Sequence, residues 1–261
     1  MSVDKDTLKT YQLLYFQNEL PVPLQLKNGK IDVYPIMVKD WSPFESSLSV
    51  LQIDKNNTDN IEQIQMSYMD FLFHLIEQDE QYKNMLVTVL LMSFRAEHIG
   101  FIRENNKPYI IIADDKQIIT AKISAKEFNK IKDIIFYYNI NDYNDIDVSE
   151  DVRKLAQEYY KIKNGDSYSP TLEEQKMYVI AKTGISMQEI NNMAYRTFNM
   201  VFKSALDSEM FLANKIIQAS YKYEVKEDVS HPLFVRKKNP YEDIFGNKEA
   251  FIDKINQANN G

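Results

Sequence analysis

Cysteine is absent from the 261 residues, and glycine occurs only six times. The first absence excludes disulfide bridges and thiolate metal sites. The second removes the loops that cradle phosphates: there is no G-x-G-x-x-G, no Walker A sequence and no G-x-S-x-G elbow. Only three histidines are present, and none has a nucleophile–base partner close in sequence. Long apolar runs are missing as well. The greasiest stretch, Met85–Phe94, is interrupted by Thr88 and Ser93, well short of the roughly 20 residues of a membrane-spanning helix. It reads as a core helix. The opening residues, MSVDKDTLKTYQ, carry no apolar segment, so no secretory leader is expected. Positive charge is in deficit, with a formal net charge of −7. That disfavours non-specific binding to nucleic acid or anionic membranes, which depends on Lys and Arg neutralising phosphate. The expectation is a protein without enzymatic activity, cofactor or metal.

What is present is enough to build a core. A hydrophobic fraction of 44% with 12% aromatics fits a packed globule, and a chain of this length buries roughly 70–75% of its unfolded surface. Helical spacing of Leu8, Tyr11, Leu14 and Tyr15 predicts a helix over Lys5–Asn18. Asn28-Gly29, between two short alternating runs, predicts a β-hairpin. Ser42-Pro-Phe-Glu45 predicts a capped helix start running to about Ile53. Helices are expected at Ile61–Ile76, with a break near Ser67, and at Glu80–Phe94. The period then changes. HIGFIRE, PYIIIAD and QIITAKI predict a three-stranded antiparallel meander over His98–Ile123. Further helices are expected at Ser124–Tyr138, Ser149–Lys163, Thr171–Thr183 and Ser208–Tyr221, with a short one at Lys248–Gln257. The fold class is α+β, predominantly helical. Asp166–Pro170 reads as a linker, dividing a domain of residues 1–165 from a helical domain of residues 166–261.

The stretch Gln175–Phe202, QKMYVIAKTGISMQEINNMAYRTFNMVF, predicts one helix, a glycine stop at Gly184 and an immediate second helix opened by the Ser186/Glu189 capping box. A helix–turn–helix is either a DNA reader or a structural corner. Gln188, Asn191 and Asn192 have the amides that bond adenine edges, and Arg196 adds one positive charge. Against this, Glu189 sits where phosphate would lie. Ile190, Met193, Tyr195, Phe198, Val201 and Phe202 make the second helix apolar on more than one side. Weighed by charge, the corner is structural, and a DNA-binding regulator using Thr183–Arg196 is the alternative.

Three further clusters have ordinary explanations. Asp70, His74 and Glu77 share one helical face at i, i+4 and i+7, a spacing that can hold a divalent metal. Met69, Leu72, Phe73 and Ile76 form the opposite, core-facing stripe, so the polar trio reads as a solvent face. Asp142, Asn144, Asp145, Asp147, Glu150 and Asp151 form an acidic cluster, but no frame supplies both the glycine and the closing glutamate of an EF-hand loop, so it reads as a solvated loop and helix start. In the C-terminal tail Arg236, Lys237 and Lys238, flanked by Phe234 and Tyr241, form a basic, partly apolar segment suited to docking an acidic partner.

Several short motifs together resemble a family. Tyr15–Pro23 (YFQNELPVP) runs into Ile31–Pro35 (IDVYP). Asp54-Lys-Asn56 follows, then Met66–Leu75 (MSYMDFLFHL). Far downstream come Glu174-Gln175 and Thr183–Ile190 (TGISMQEI). This series resembles the cytoplasmic tail-assembly proteins of tailed bacteriophages that infect AT-rich Gram-positive bacteria. Lys outnumbers Arg 26 to 5, in keeping with such a genome. The similarity covers most of the first 200 residues. It implies a tail-assembly chaperone that binds the tape-measure or tail-tube protein in the host cytoplasm, or else a structural component of the tail or baseplate. It implies a structural corner at Gly184 and carries no catalytic residue across.

Overall fold

Alternation organises the strands. In β1 (Val22–Leu26) the apolar Val22, Leu24 and Leu26 are buried and Pro23 and Gln25 are exposed. The computed structural model describes residues 3–56, 60–140 and 170–219, and these form an α+β protein of helices and one antiparallel sheet. β1 pairs with β2 (Asn28–Val33) from Val22↔Val33 to Leu26↔Gly29. β3 (His98–Glu104), β4 (Lys107–Ala113) and β5 (Ile119–Ser124) pair in succession. All five strands join one sheet in the order β1-β2-β5-β4-β3. The join, which local sequence pattern does not disclose, is the short ladder Asn28↔Lys122 and Gly29↔Ala121.

Two turns show why particular residues stand where they do. The pair Leu26↔Gly29 places Lys27 and Asn28 at the centre of the β1–β2 turn, one residue earlier than expected. Neither has a positive φ, so the two-residue type I′ geometry does not apply. The positive φ falls instead on Gly29, at 111°. A Cβ on Gly29 would lie 2.4 Å from the Thr120 carbonyl oxygen and 2.9 Å from Ala121 Cα. The glycine thus serves the turn and the close approach of β2 to β5 together. At the β3–β4 turn, Asn105 and Asn106 have φ of 50° and 60°, the type I′ pattern that asparagine tolerates.

The helices follow their caps. α1 (Lys5–Tyr11) is capped by Asp4 and continues as a π-helical turn over Gln12–Phe16. α2 (Trp41–Leu48) begins before Ser42, which lies inside the helix and caps nothing; a 3₁₀ turn, Val38–Asp40, leads into it instead. α3 (Ile61–Gln65) and α4 (Tyr68–Gln78) are separated at Ser67, whose hydroxyl accepts the Asp70 N–H at 3.0 Å. α5 (Glu80–Phe94) is capped by Asp79. α6 (Ala125–Asn139) opens on the Ser124/Glu127 capping box. Helices α4, α5 and α6 pack on the sheet. The sheet presents Ile110 and Ile123, both fully buried, on the face where Phe73 of α4 meets Phe101 edge-on at 5.6 Å.

The later helices are α7 (Leu172–Thr183), α8 (Met187–Asn191) and α9 (Tyr195–Ala219). Two expectations are corrected here. The second helix of the corner does not run through Phe202; it stops at Asn191. The helix expected at Ser208 is not separate, because α9 is continuous from Tyr195. The break has a cause far away in sequence. Met37 and Ala194 form an isolated antiparallel bridge. The Val38 N–H donates to Met193 O at 2.9 Å and the Tyr195 N–H donates to Ile36 O at 2.8 Å. These bonds claim backbone groups that a continuous helix would have kept.

The chain divides into two compact units, Met1–Tyr143 with Ile185–Met200, and Asn144–Gly184 with Val201–Gly261. The division is discontinuous, where the sequence expectation is a single cut at residue 165. The helices expected at Ser149–Lys163 and Lys248–Gln257 and the acidic cluster at 142–151 lie outside the described residues.

Candidate functional site

Three places bear on function: the corner, the Asp70 cluster and the outer face of α9. At the corner, Thr171 and Glu174 form a capping box that starts α7. Gly184 ends it with φ 75° and ψ 3°, and its N–H donates to Ile180 O at 2.9 Å. No atom lies within 4 Å of where its Cβ would be, so glycine is needed for conformation and not for space. Ser186 then accepts the Glu189 N–H at 3.2 Å, while the Glu189 carboxylate accepts from the Ser186 N–H and hydroxyl at 2.9 and 2.7 Å. Those hydrogen bonds hold the Glu189 carboxyl below the usual carboxylate range.

The four residues of the DNA-reading alternative do not share one helix. Gln188 and Asn191 lie on α8, Asn192 is its C-cap, and Arg196 lies on α9 beyond the break. Arg196 is half-buried. Its Nη1 donates to Tyr137 O at 2.8 Å and its guanidinium stands 5.8 Å from the Phe16 ring centre. Ile190, Ala194 and Phe198 are buried. Tyr195 stacks on Trp41 with ring centres 3.4 Å apart and planes 4° from parallel. Residues 185–200 therefore contribute to the core of the first unit.

Asp70 and Glu77 do converge, but on a cation supplied by the chain. Arg103 of β3 donates through Nη1 to Asp70 at 3.1 Å and through Nε to Glu77 at 3.2 Å. His74 is engaged with the Gln78 amide at 2.9 Å. The guanidinium occupies the position between the two carboxylates. Among the described residues no group of three or more His, Asp or Glu is arranged to hold a metal ion. Spacing along the helix pointed to the two acids; it had no means of disclosing an arginine 26 residues beyond Glu77.

The second unit carries the feature that periodicity missed. Within α9, Met210, Leu212 and Ile216 are 63%, 60% and 72% exposed, and Ile217 is also exposed. Met177 on α7 is exposed too. Next to this apolar surface, Glu209 accepts from Tyr178 Oη at 2.5 Å and Lys182 Nζ at 2.6 Å, and Tyr178 packs edge-on against Phe202 at 5.7 Å. Burial and the Glu209 hydrogen bond push the Tyr178 hydroxyl up to about 12. Bonds from Lys182 and Tyr178 hold the Glu209 carboxyl down. The partner-docking residues expected in the tail, Phe234, Arg236, Lys237, Lys238 and Tyr241, lie outside the described residues. No described helix is long and apolar enough to cross a membrane. Comparisons of this chain with protein-family models, with curated proteins and with solved structures found no match.

Proposed function

We propose that the protein is a non-enzymatic tail-assembly chaperone of a tailed bacteriophage, holding the tape-measure or tail-tube protein in the host cytoplasm during tail morphogenesis. The observation that carries this reading is the exposure of apolar side chains on α9 in a chain of net charge −7: Leu212 and Ile216, one turn apart, face solvent on one side, and Met210 and Ile217, two turns apart, on the other. Leu212 and Ile216 are neighbours on the helix, and adjacent exposed apolar residues mark a surface meant to be covered. A helical face of this kind accepts the apolar stripe of another amphipathic helix, and a tape-measure protein is one long series of such stripes. Met210 and Met177 add side chains that adapt to varied neighbours. The sequence motifs from Tyr15 to Ile190 support the same family. In this reading the N-terminal hairpin and the central meander are scaffold, and the bonds of Ile36 and Val38 to Tyr195 and Met193 fix where α9 begins.

Co-expression tests the reading. A tape-measure protein from a phage of a Gram-positive host, insoluble alone, should become soluble with this chain and co-purify with it. Leu212→Asp with Ile216→Asp should return it to the insoluble fraction while this chain stays folded by circular dichroism. Equal rescue by the double variant would remove α9 from the mechanism, and no rescue by the wild type would overturn the reading. Detection of the protein in purified virions would favour the structural role in the tail or baseplate. Retention on duplex DNA at low salt, lost on Gln188→Ala with Asn192→Ala, would favour the regulator.

A further inference from the structure

We propose that the outer edge of β3 is a self-recognition surface, at which two copies of the chain pair antiparallel about a two-fold axis through Phe101 and continue the sheet from one protomer into the next. This inference is independent of the chaperone reading. β3 and β1 are the two edges of the sheet. β1 carries Pro23, a residue that blocks edge pairing. β3 has no proline: its register with β4 is unbroken from His98↔Ala113 to Glu104↔Lys107, Ile99–Ile102 contains no charge or bulge, and Arg103 is its one outward-facing charged residue. Among the described residues, no strand pairs with its outer side.

The turn determines which backbone groups point outward. Asn105 and Asn106 form a two-residue type I′ turn, so Glu104 and Lys107 exchange both their hydrogen bonds. Counting back along the ladder, Ile102, Gly100 and His98 also bond to β4. The N–H and C=O groups of Ile99, Phe101 and Arg103 therefore face away from the sheet. Beside this edge, on the helical side, runs an open groove of about 480 Å³ with an apolar part, Phe73, Ile76, Val87, Ile99 and Phe101, and a charged part, Glu77, Glu80, Lys83 and Arg103.

A second copy of β3 fits both the edge and the groove. With the axis at Phe101, Phe101 faces itself and Ile99 faces Arg103 of the second copy, so every outward-facing residue meets another outward-facing residue. The second copy's Phe101 and Ile99 enter the groove side. At each end an imidazole, His98, stands opposite a carboxylate, Glu104. Moving the axis one residue to Gly100 or Ile102 loses that match, setting His98 against Ile102 or Glu104 against Gly100. The bonding pattern is kept in all three registers, so charge decides: the axis at Phe101 has two His98–Glu104 pairings, whereas the axis at Gly100 sets Glu97 against an Arg103 already bound to Asp70 and Glu77.

The test uses the full chain. Light scattering should give twice the 30.7 kDa of the monomer. Ile99→Pro removes an outward N–H without touching the β4 ladder, and should return the mass to that of the monomer. Because the chain has no cysteine, a single introduced one reports the register. Directly opposed, hydrogen-bonded residues have Cα atoms about 5.5 Å apart, within reach of a disulfide. Phe101→Cys should therefore oxidise to a covalent dimer. The two copies of Ile99→Cys, roughly 13 Å apart along the strands, should not. A wild-type monomer at all concentrations would overturn the proposal, even if Phe101→Cys fails to fold. So would equal cross-linking at both positions, or a dimer that survives Ile99→Pro.

Discussion

Asn139 lies in the core, 3% exposed, with both ends of its amide occupied. Its Oδ1 accepts the Ile36 N–H at 3.0 Å and its Nδ2 donates to Ile135 O at 2.9 Å. Ile36 in turn accepts the Tyr195 N–H, so one side chain on α6 holds the segment that breaks the corner helix. Asn139→Ala should cost about 1–3 kcal/mol, because it leaves a buried N–H without a partner; urea denaturation would measure it. Glu127 works at the surface by similar means. Its carboxylate accepts from the Lys27 N–H at 2.8 Å and the Ser124 N–H at 2.9 Å, tying the β1–β2 turn to the start of α6. Partial burial raises its pKa, but the bonds from Ser124 and Lys27 outweigh this and hold it below 4.5. A carboxyl depressed on folding stabilises above its unfolded pKa, and that contribution is lost as pH falls through the folded value. Glu127→Gln should therefore lower stability at neutral pH by about 1 kcal/mol. The deficit should shrink below pH 4.5, as the wild type loses the same contribution. A deficit that is constant with pH would assign the effect to shape and not to charge.

At the scale of elements, two glycines with positive φ separate conformation from space. Gly184 ends α7 with open surroundings, so Gly184→Ala should cost only the left-handed penalty, roughly 1–2 kcal/mol. Gly29, at φ 111°, lies further from any conformation open to an L side chain, and a carbonyl oxygen lies 2.4 Å from the new Cβ. Gly29→Ala should therefore cost clearly more and disturb the β2–β5 join, which thermal unfolding of the two variants side by side would show. The difference explains what was legible. The stop at Gly184, the caps at Ser124, Thr171 and Ser186, and the bounds Glu80–Phe94 were all readable, because each depends on residues within one turn of each other. The short ladder at Gly29 and the break at Asn192–Ala194 were not. Gly29 meets Ala121 across 92 positions, and Ala194 meets Met37 across 157. The sequence near Asn192 has helix-forming neighbours on both sides, and the opposing backbone groups come from a segment with no local mark. The Asp70–Arg103–Glu77 cluster was half legible for the same reason: the acids share a helix, and the cation comes from a strand.

For the molecule as a whole, the exposed pair Leu212 and Ile216 on α9 contributes little to the chain that carries it. Fully burying a side chain such as Leu212 or Ile216 is worth about 1.5–3 kcal/mol. At 60% and 72% exposure most of that gain is not realised within the chain. What remains is available for a contact with something else. Leu212→Ser with Ile216→Ser should therefore leave folding stability within about 0.5 kcal/mol per site by urea denaturation. The same change should reduce binding of a hydrophobic dye and raise the salt concentration at which the protein precipitates. A loss of stability of several kcal/mol would mean that the two side chains support the protein's own packing, and α9 would then have no apolar surface to offer. A net charge of −7 keeps such a surface dispersed in solution by mutual repulsion between copies. Repulsion of this kind is screened by salt. Raising the ionic strength should therefore carry self-association of the wild type beyond a dimer and that of the double variant no further than one, which separates this face from the edge of β3.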